Sequence, residues 1–317
     1  MVRNTMNNPT PLKVIFMGTP DFAVPALRAL DESPHQIQAV VTVPDKQQGR
    51  GRRESPSAVK SAALECNLPI LQPEKLTDPD FIDSLKGYAP DVIVVVAFRI
   101  LPEAVFTLPK YGSFNLHASL LPKYRGAAPI HWALLNGDSE TGVTTFFLKR
   151  KVDTGNIIKQ ATASILPEDN LHTLYTKLCK MGADLVLETT NLIANGTAGA
   201  GEQDNSLASP APKITSETRL IHFDEPAEQC HNRVRAFAPT PGAYTHRDGA
   251  LLKILSSRHV AGHGIPGNII KVSEDSFTVA CQEGALEIIS IQPESKKAMD
   301  VASYLRGYPV EIGDTLG

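Results

Sequence analysis

Short apolar runs rich in β-branched residues alternate with helical patterns through the first two thirds of the chain and limit the fold more than any other feature, beginning with KVIFMG from Lys13, IQAVVTV from Ile37, DVIVVVAF from Asp91 and SFNLHA from Ser113. A strand with one wet face alternates apolar and polar residues. A run that stays apolar is covered on both faces, which is the environment of a parallel sheet between helices. Helix-like stretches at 22–31, 57–66 and 79–86 separate the runs, each with Asp, Pro or Ser at or just before its start. The expected class is α/β, beginning with a doubly wound, Rossmann-like domain. After a long helical stretch at 171–195 the composition shifts, over 196–212, to GTAGAGEQDNSLASPAP, small and polar in the manner of a linker. Beyond it a helix is expected at 226–237. The runs LLKILSS, GNIIKV, SFTVAC and ALEIISIQ follow, divided by Gly and polar turns in the pattern of a small, OB-like β-barrel. The expected division is a first domain over 1–200, a linker over 201–212 and a second domain over 213–317.

With 42% hydrophobic and 21% charged residues, the 317-residue chain can bury a substantial core. Its formal net charge of -3 gives no global basic field, so contact with nucleic acid would need a local patch. Cys66, Cys179, Cys230 and Cys281 lie far apart with no CxxC pair, which argues against a zinc site and a disulfide framework and favours a reducing cytoplasm. The opening MVRNTMNNPTP lacks the apolar core of an export signal, and VIVVVAF is far too short to span a bilayer. Neither a metal nor a membrane is expected.

Several stretches can carry chemistry. MGTPDFAVPAL follows the first strand and opens a helix, where α/β sheets bind ligands, but its single Gly18 is no dinucleotide fingerprint and a tight turn explains it equally. In GSFNLHAS, strand alternation places Ser113, Asn115 and His117 on one side and Phe114 and Leu116 on the other. An Asn amide can hold a developing oxyanion and a His can exchange a proton near neutral pH; each alone also reads as a satisfied buried polar group. Asp153 in VDTGN is either a turn residue or a carboxylate that orients the histidine and fixes its tautomer. The loop VPDKQQGRGRRESPSAVK sets Lys46, Arg50, Arg52 and Arg53 among Gly and Gln, and it is either a solvated charge run or a segment that orders on a phosphate backbone.

Taken together, IFMGTPDFAVPAL, VPDKQQGRGRRESPSAVK, VVVAFRILP, FNLHASLLPKYRGAAPIHWALLNGDSETGVT, VDTGNII and IQPESKKAM resemble the methionyl-tRNA formyltransferase family nearly end to end. The resemblance implies formyl transfer from 10-formyltetrahydrofolate to initiator methionyl-tRNA by a cytoplasmic enzyme, expected to be a monomer, with Asn115, His117 and Asp153 as the catalytic set. It also implies a folate site at Ser119, Leu120, Leu121 and Pro122 and along the backbone of Phe98, Arg99, Ile100 and Leu101. Lys46, Arg50, Arg52 and Arg53 would then meet the tRNA, Arg50 at the acceptor end, and the second domain would supply another tRNA surface. Lys151 and Val152 stand where the family commonly has Gly-Leu. A formyltransferase for small amines would share the Asn-His-Asp set without the arginine loop and the second domain. A dehydrogenase would need the glycine fingerprint, and a non-catalytic RNA-binding protein would leave Asn115 and His117 unexplained.

Overall fold

The computed structural model describes residues 10–48 and 53–317. Two compact units share the chain, and each is discontinuous. The first takes residues up to Gly126 together with Gly142–Ala163 and Thr176–Pro210; the second takes Ala127–Thr141, Ser164–Tyr175 and Ala211–Gly317.

Seven strands form the sheet of the first unit: β1 (Lys13–Gly18), β2 (Gln36–Val41), β3 (Ile70–Leu71), β4 (Val92–Val96), β5 (Ser113–His117), β6 (Glu140–Phe147) and β7 (Ile157–Ser164). Their order is β3-β2-β1-β4-β5-β6-β7. β1 pairs in parallel with β2 and β4, and β4 with β5, as the unbroken apolar runs require; Val14, Ile15, Phe16 and Met17 are wholly buried. β6 departs from the all-parallel expectation by running antiparallel to β5. The connection between them carries helix Pro129–Leu135, which belongs to the second unit. The chain reverses direction between β1 and β4, so the carboxyl ends of β1, β4 and β5 flank the switch point where open α/β sheets bind ligands.

Side chains cap two of the first three helices. α1 (Val24–Asp31) follows a single 3-10 turn at Asp21–Ala23, α2 (Ala58–Glu65) is capped by Ser57 Oγ accepting from Lys60 N at 3.0 Å, and α3 (Pro79–Gly87) by Asp78 accepting from Asp80 N. α4 (Pro129–Leu135), α5 (Leu171–Ala194) and α6 (Ala227–Phe237) complete the long elements, and among the described residues no helix is long and apolar enough to cross a membrane.

In the second unit β8 (Ala243–Arg247), β9 (Ala250–Val260), β10 (Ile269–Val272), β11 (Phe277–Ala280) and β12 (Ala285–Pro293) form an antiparallel sheet in the order β8-β9-β12-β11-β10. The chain's last residues bridge its two edges. Gly313 N and Leu316 N donate to Ile269 O and Gly267 O beside β10, and Gly317 N donates to His246 O on β8 at 3.0 Å. That tail closes the sheet into the barrel that the spacing of short strands predicts, and it leaves no long edge exposed to pairing. α6 packs against β9, burying Cys230, Val234 and Phe237.

Candidate active site

The carboxyl end of β5 carries the polar side chains on one face, as alternation requires: Phe114 and Leu116 are buried on the other. Asn115 lies between Val95 of β4 and Phe146 of β6, half-buried, and its side-chain amide makes no hydrogen bond to another described residue. One strand further along the chain, the turn after β6 brings Asp153 back to His117, with Nδ1 of the ring 4.0 Å from Asp153 Oδ2 and the two side chains only 7% and 11% exposed. At that distance the pair is a charge contact and not a hydrogen bond. Asp153 holds the left-handed conformation, φ 54°, and its Oδ2 accepts the Gly126 amide at 2.9 Å.

The histidine's tautomer is set elsewhere than expected. His117 Nε2 lies 2.8 Å from the Tyr124 carbonyl oxygen, and a carbonyl can only accept, so the proton of the neutral ring sits on Nε2. Nδ1 is left as the basic nitrogen, facing Asp153. Tautomer control, one of the two roles the sequence leaves open for Asp153, falls instead to a backbone carbonyl, and the Asp153 carboxylate faces Nδ1.

Ser119–Pro122, the other half of the same motif, is held from all sides. Ser119 is wholly buried, its Oγ donates to Lys123 O at 2.7 Å, and its carbonyl accepts from Thr144 Oγ1 at 2.6 Å. Thr144 Oγ1 in turn accepts from Leu121 N at 3.1 Å, and the Gln160 amide donates to both Leu121 O and Thr144 Oγ1 at 2.9 Å. A segment with its backbone so committed presents a fixed surface. The stretch after β4 starts at Ala97 with φ 47°. There Phe98 packs on the core, Leu101 is buried, Ile100 is exposed, and Arg99 donates to the carbonyls of Pro73 and Glu74 at 2.8 and 2.9 Å. Burial lowers the Arg99 pKa from its ordinary value, and the guanidinium also lies 5.2 Å over the Phe98 ring.

Of the arginine loop, the backbones of Lys46–Gln48 and Arg53–Ser55 pair as a short hairpin, while Arg50 and Arg52 lie outside the described residues. The loop's base is fixed by Asp45, whose carboxyl the Lys60 ammonium and the Gln72 amide hold below the usual carboxylate range. Among the described residues no group of three His, Cys, Asp or Glu is arranged to hold a metal ion.

Residues 12–190 match the formyl transferase family and residues 213–309 the formyl transferase C-terminal domain. The chain is 44% identical to the methionyl-tRNA formyltransferase of Moorella thermoacetica, covering 96% of this chain and 99% of that one, and 45% identical to that of Chlorobium phaeovibrioides, covering 97% and 99%. The chain belongs to the methionyl-tRNA formyltransferase family. Among solved structures it shares its fold with WlaRD, a sugar 3N-formyl transferase crystallised in the presence of dTDP and 5-N-formyl-THF, at a TM-score of 0.66 and 23% identity over 91% of this chain and all of that one. In this family member the sequence motifs bring Asn115, His117 and Ser119–Pro122 together along β5 and the loop after it, with Asp153 beside them. Of the residues that hold them in place, Tyr124 and Gly126, which act through their backbones, and Thr144 lie within the long central motif, although nothing in the sequence marks them as supports; Gln160, Gln203 and Ser209, which act through their side chains, lie outside every motif, Gln160 just after VDTGNII.

Proposed function

We propose that the protein transfers the formyl group of 10-formyltetrahydrofolate to the free α-amino group of initiator methionyl-tRNA, working as a monomer in the cytoplasm. The observation that carries this reading is the likeness to methionyl-tRNA formyltransferases over nearly the full length of both chains, the second unit included. Residues 1–200 carry the transfer, 201–212 connect, and 213–317 supply a second surface for the tRNA. The folate lies on Ser119–Pro122 and the backbone of Phe98–Leu101. Lys46, Arg50, Arg52 and Arg53 meet the phosphates and the acceptor end, Arg50 nearest the reacting terminus.

The chemistry is acyl transfer without an enzyme nucleophile. As the neutral amine attacks the formyl carbon, the formyl oxygen gains negative charge, and the Asn115 amide, uncommitted to other described residues, donates to it. His117 Nδ1 takes the proton that the amine sheds. The resulting imidazolium is stabilised by Asp153 at 4.0 Å in a corner with little solvent, where a unit charge pair counts for more than in water. The proton then returns to N10 of the folate as the carbon–nitrogen bond breaks, so one N–H and one C–N bond are exchanged and nothing is oxidised.

The test is to incubate the protein with 10-formyltetrahydrofolate and charged initiator tRNA and to assay formyl-methionine. Absence of product from the parent protein overturns the function. Asn115→Ala is expected to lower the single-turnover rate on the order of 10²-fold without change of fold, the usual cost of one oxyanion donor. Equal rates would remove Asn115 from the mechanism.

A further inference from the structure

Gln203 lies in the small, polar segment after α5, and its side-chain amide commits every hydrogen bond it can make to the chain around the His117–Asp153 corner. Nε2 donates to the carbonyls of Asp153 at 3.0 Å and Gly155 at 2.8 Å, and Oε1 accepts from Arg125 Nε at 3.1 Å and Nη2 at 2.6 Å. This orientation has no alternative, because carbonyls only accept and a guanidinium only donates. Six residues on, Ser209 treats the neighbouring strand of chain likewise: its Oγ accepts from Tyr124 N at 2.9 Å and its carbonyl from Arg125 N at 2.8 Å.

Between these anchor points lie the two backbone groups that set the catalytic geometry. One is the Tyr124 carbonyl, which takes the His117 Nε2 proton; the other is the Gly126 N–H, which holds the Asp153 carboxylate. Tyr124 and Asp153 both sit in the left-handed region, at φ 61° and 54°, conformations that non-glycine residues keep only where their surroundings impose them. Gln203 is the side chain that ties the Asp153 turn to Arg125, the residue between those two groups.

We propose that Gln203 is a positioning residue for formyl transfer. Through the carbonyls of Asp153 and Gly155 it fixes the carboxylate against His117 Nδ1, a role that rests on Asp153 and His117 being the groups that move the proton. An aspartate free to swing away leaves the imidazolium without its partner, which slows the chemical step while both substrates still bind.

The informative substitution is Gln203→Glu. It keeps the size of the side chain and the acceptors for Arg125 but sets an oxygen against two carbonyls where an amide had donated. Gln203→Ala serves as the second variant, and melting temperatures show that each folds. In the full chain, Gln203→Glu is expected to lower kcat on the order of tenfold, with KM for tRNA and folate held within about twofold, and to shift the pH–rate profile. In an Asp153→Asn background the same change is expected to add almost nothing, since its target is already disabled. A lowered melting temperature with kcat and the pH–rate profile unchanged overturns the proposal. So does a full, independent loss on top of Asp153→Asn, because the amide would then act on something other than the carboxylate. Parental activity in Asp153→Asn alone also overturns it, and that single variant separates failure of the catalytic reading from failure of the positioning role.

Discussion

Gly155 leaves no room for a side chain. A Cβ placed on it would fall 1.5 Å from the Phe147 carbonyl oxygen at the end of β6 and 3.0 Å from the Phe146 ring. Two backbones meet there, so neither can yield as a flexible side chain would, and the turn bearing Asp153 can exist only with hydrogen at this position. Gly155→Ala is therefore expected to open the turn away from β6, carrying Asp153 from His117. The structural cost is on the order of 3 kcal/mol, in the range of substitutions that force backbone apart. Activity should fall further than stability alone explains, because a displacement of even 1 Å at a reacting pair can cost about 10²-fold. Chemical denaturation and single-turnover rates on the same protein check both. A variant that is stable and fully active would mean that Asp153 need not stand where the turn puts it.

At the scale of elements, α6 and β9 share a cavity of about 590 Å³ lined by Asp169, His231, Arg235, Ser257, Arg258 and His259. His231 on α6 pairs its Nδ1 with Ser257 Oγ at 3.0 Å and meets the His259 ring edge-on at 5.6 Å. Burial, and then the positive charge of Arg235 and the neighbouring His259, push its pKa down to about 4 from an ordinary 6.5. The folded state refuses a proton that the unfolded chain accepts below pH 6.5, so stability is unaffected above that pH and is lost as pH falls toward 4. Over this interval the loss is on the order of 2 kcal/mol after discounting for the ring's partial exposure to solvent. His231→Gln keeps a partner for Ser257 without the titration, and its melting temperature is expected to fall less steeply than the parent's between pH 6.5 and 4. Parallel curves would place the acid sensitivity in another group.

At the scale of the whole molecule, what could be read from the sequence was what repeats or what is chemically distinctive. The strands of the first sheet were legible because burial on both faces leaves an unbroken apolar run, and Asn115 and His117 because polar residues are out of place at inward positions of such a strand. The support of the site was not legible, since it is made of the Tyr124 carbonyl and the Gly126 amide, groups every residue owns, and of Gln203 and Ser209, which look like any small, polar connecting chain. Nor was the discontinuity of the second unit. The apolar stripe of α4, with Ile130, Ala133 and Leu134 buried, looks the same whichever partner covers it, and the partner is α6. His131 lies 5.5 Å from the Phe237 ring, Trp132 Nε1 donates to Pro212 O at 2.9 Å, and Asn232 fills the space beside Gly137. A chain ended at residue 212 would keep β1 to β7 but strip α4 of the helix it packs against. Exposing Ile130 and Leu134 costs at least about 1.5 kcal/mol each. A loss of about 3 kcal/mol lowers the melting temperature of a fragment this size by roughly 10 °C. Residues 1–212 are accordingly expected to melt well below the full chain and to bind folate only at temperatures where the site is still formed. Circular dichroism melts of the two proteins, with and without 5-formyltetrahydrofolate, decide the point. A fragment that melts with the full chain and binds folate equally would show that α4 needs no cover from α6.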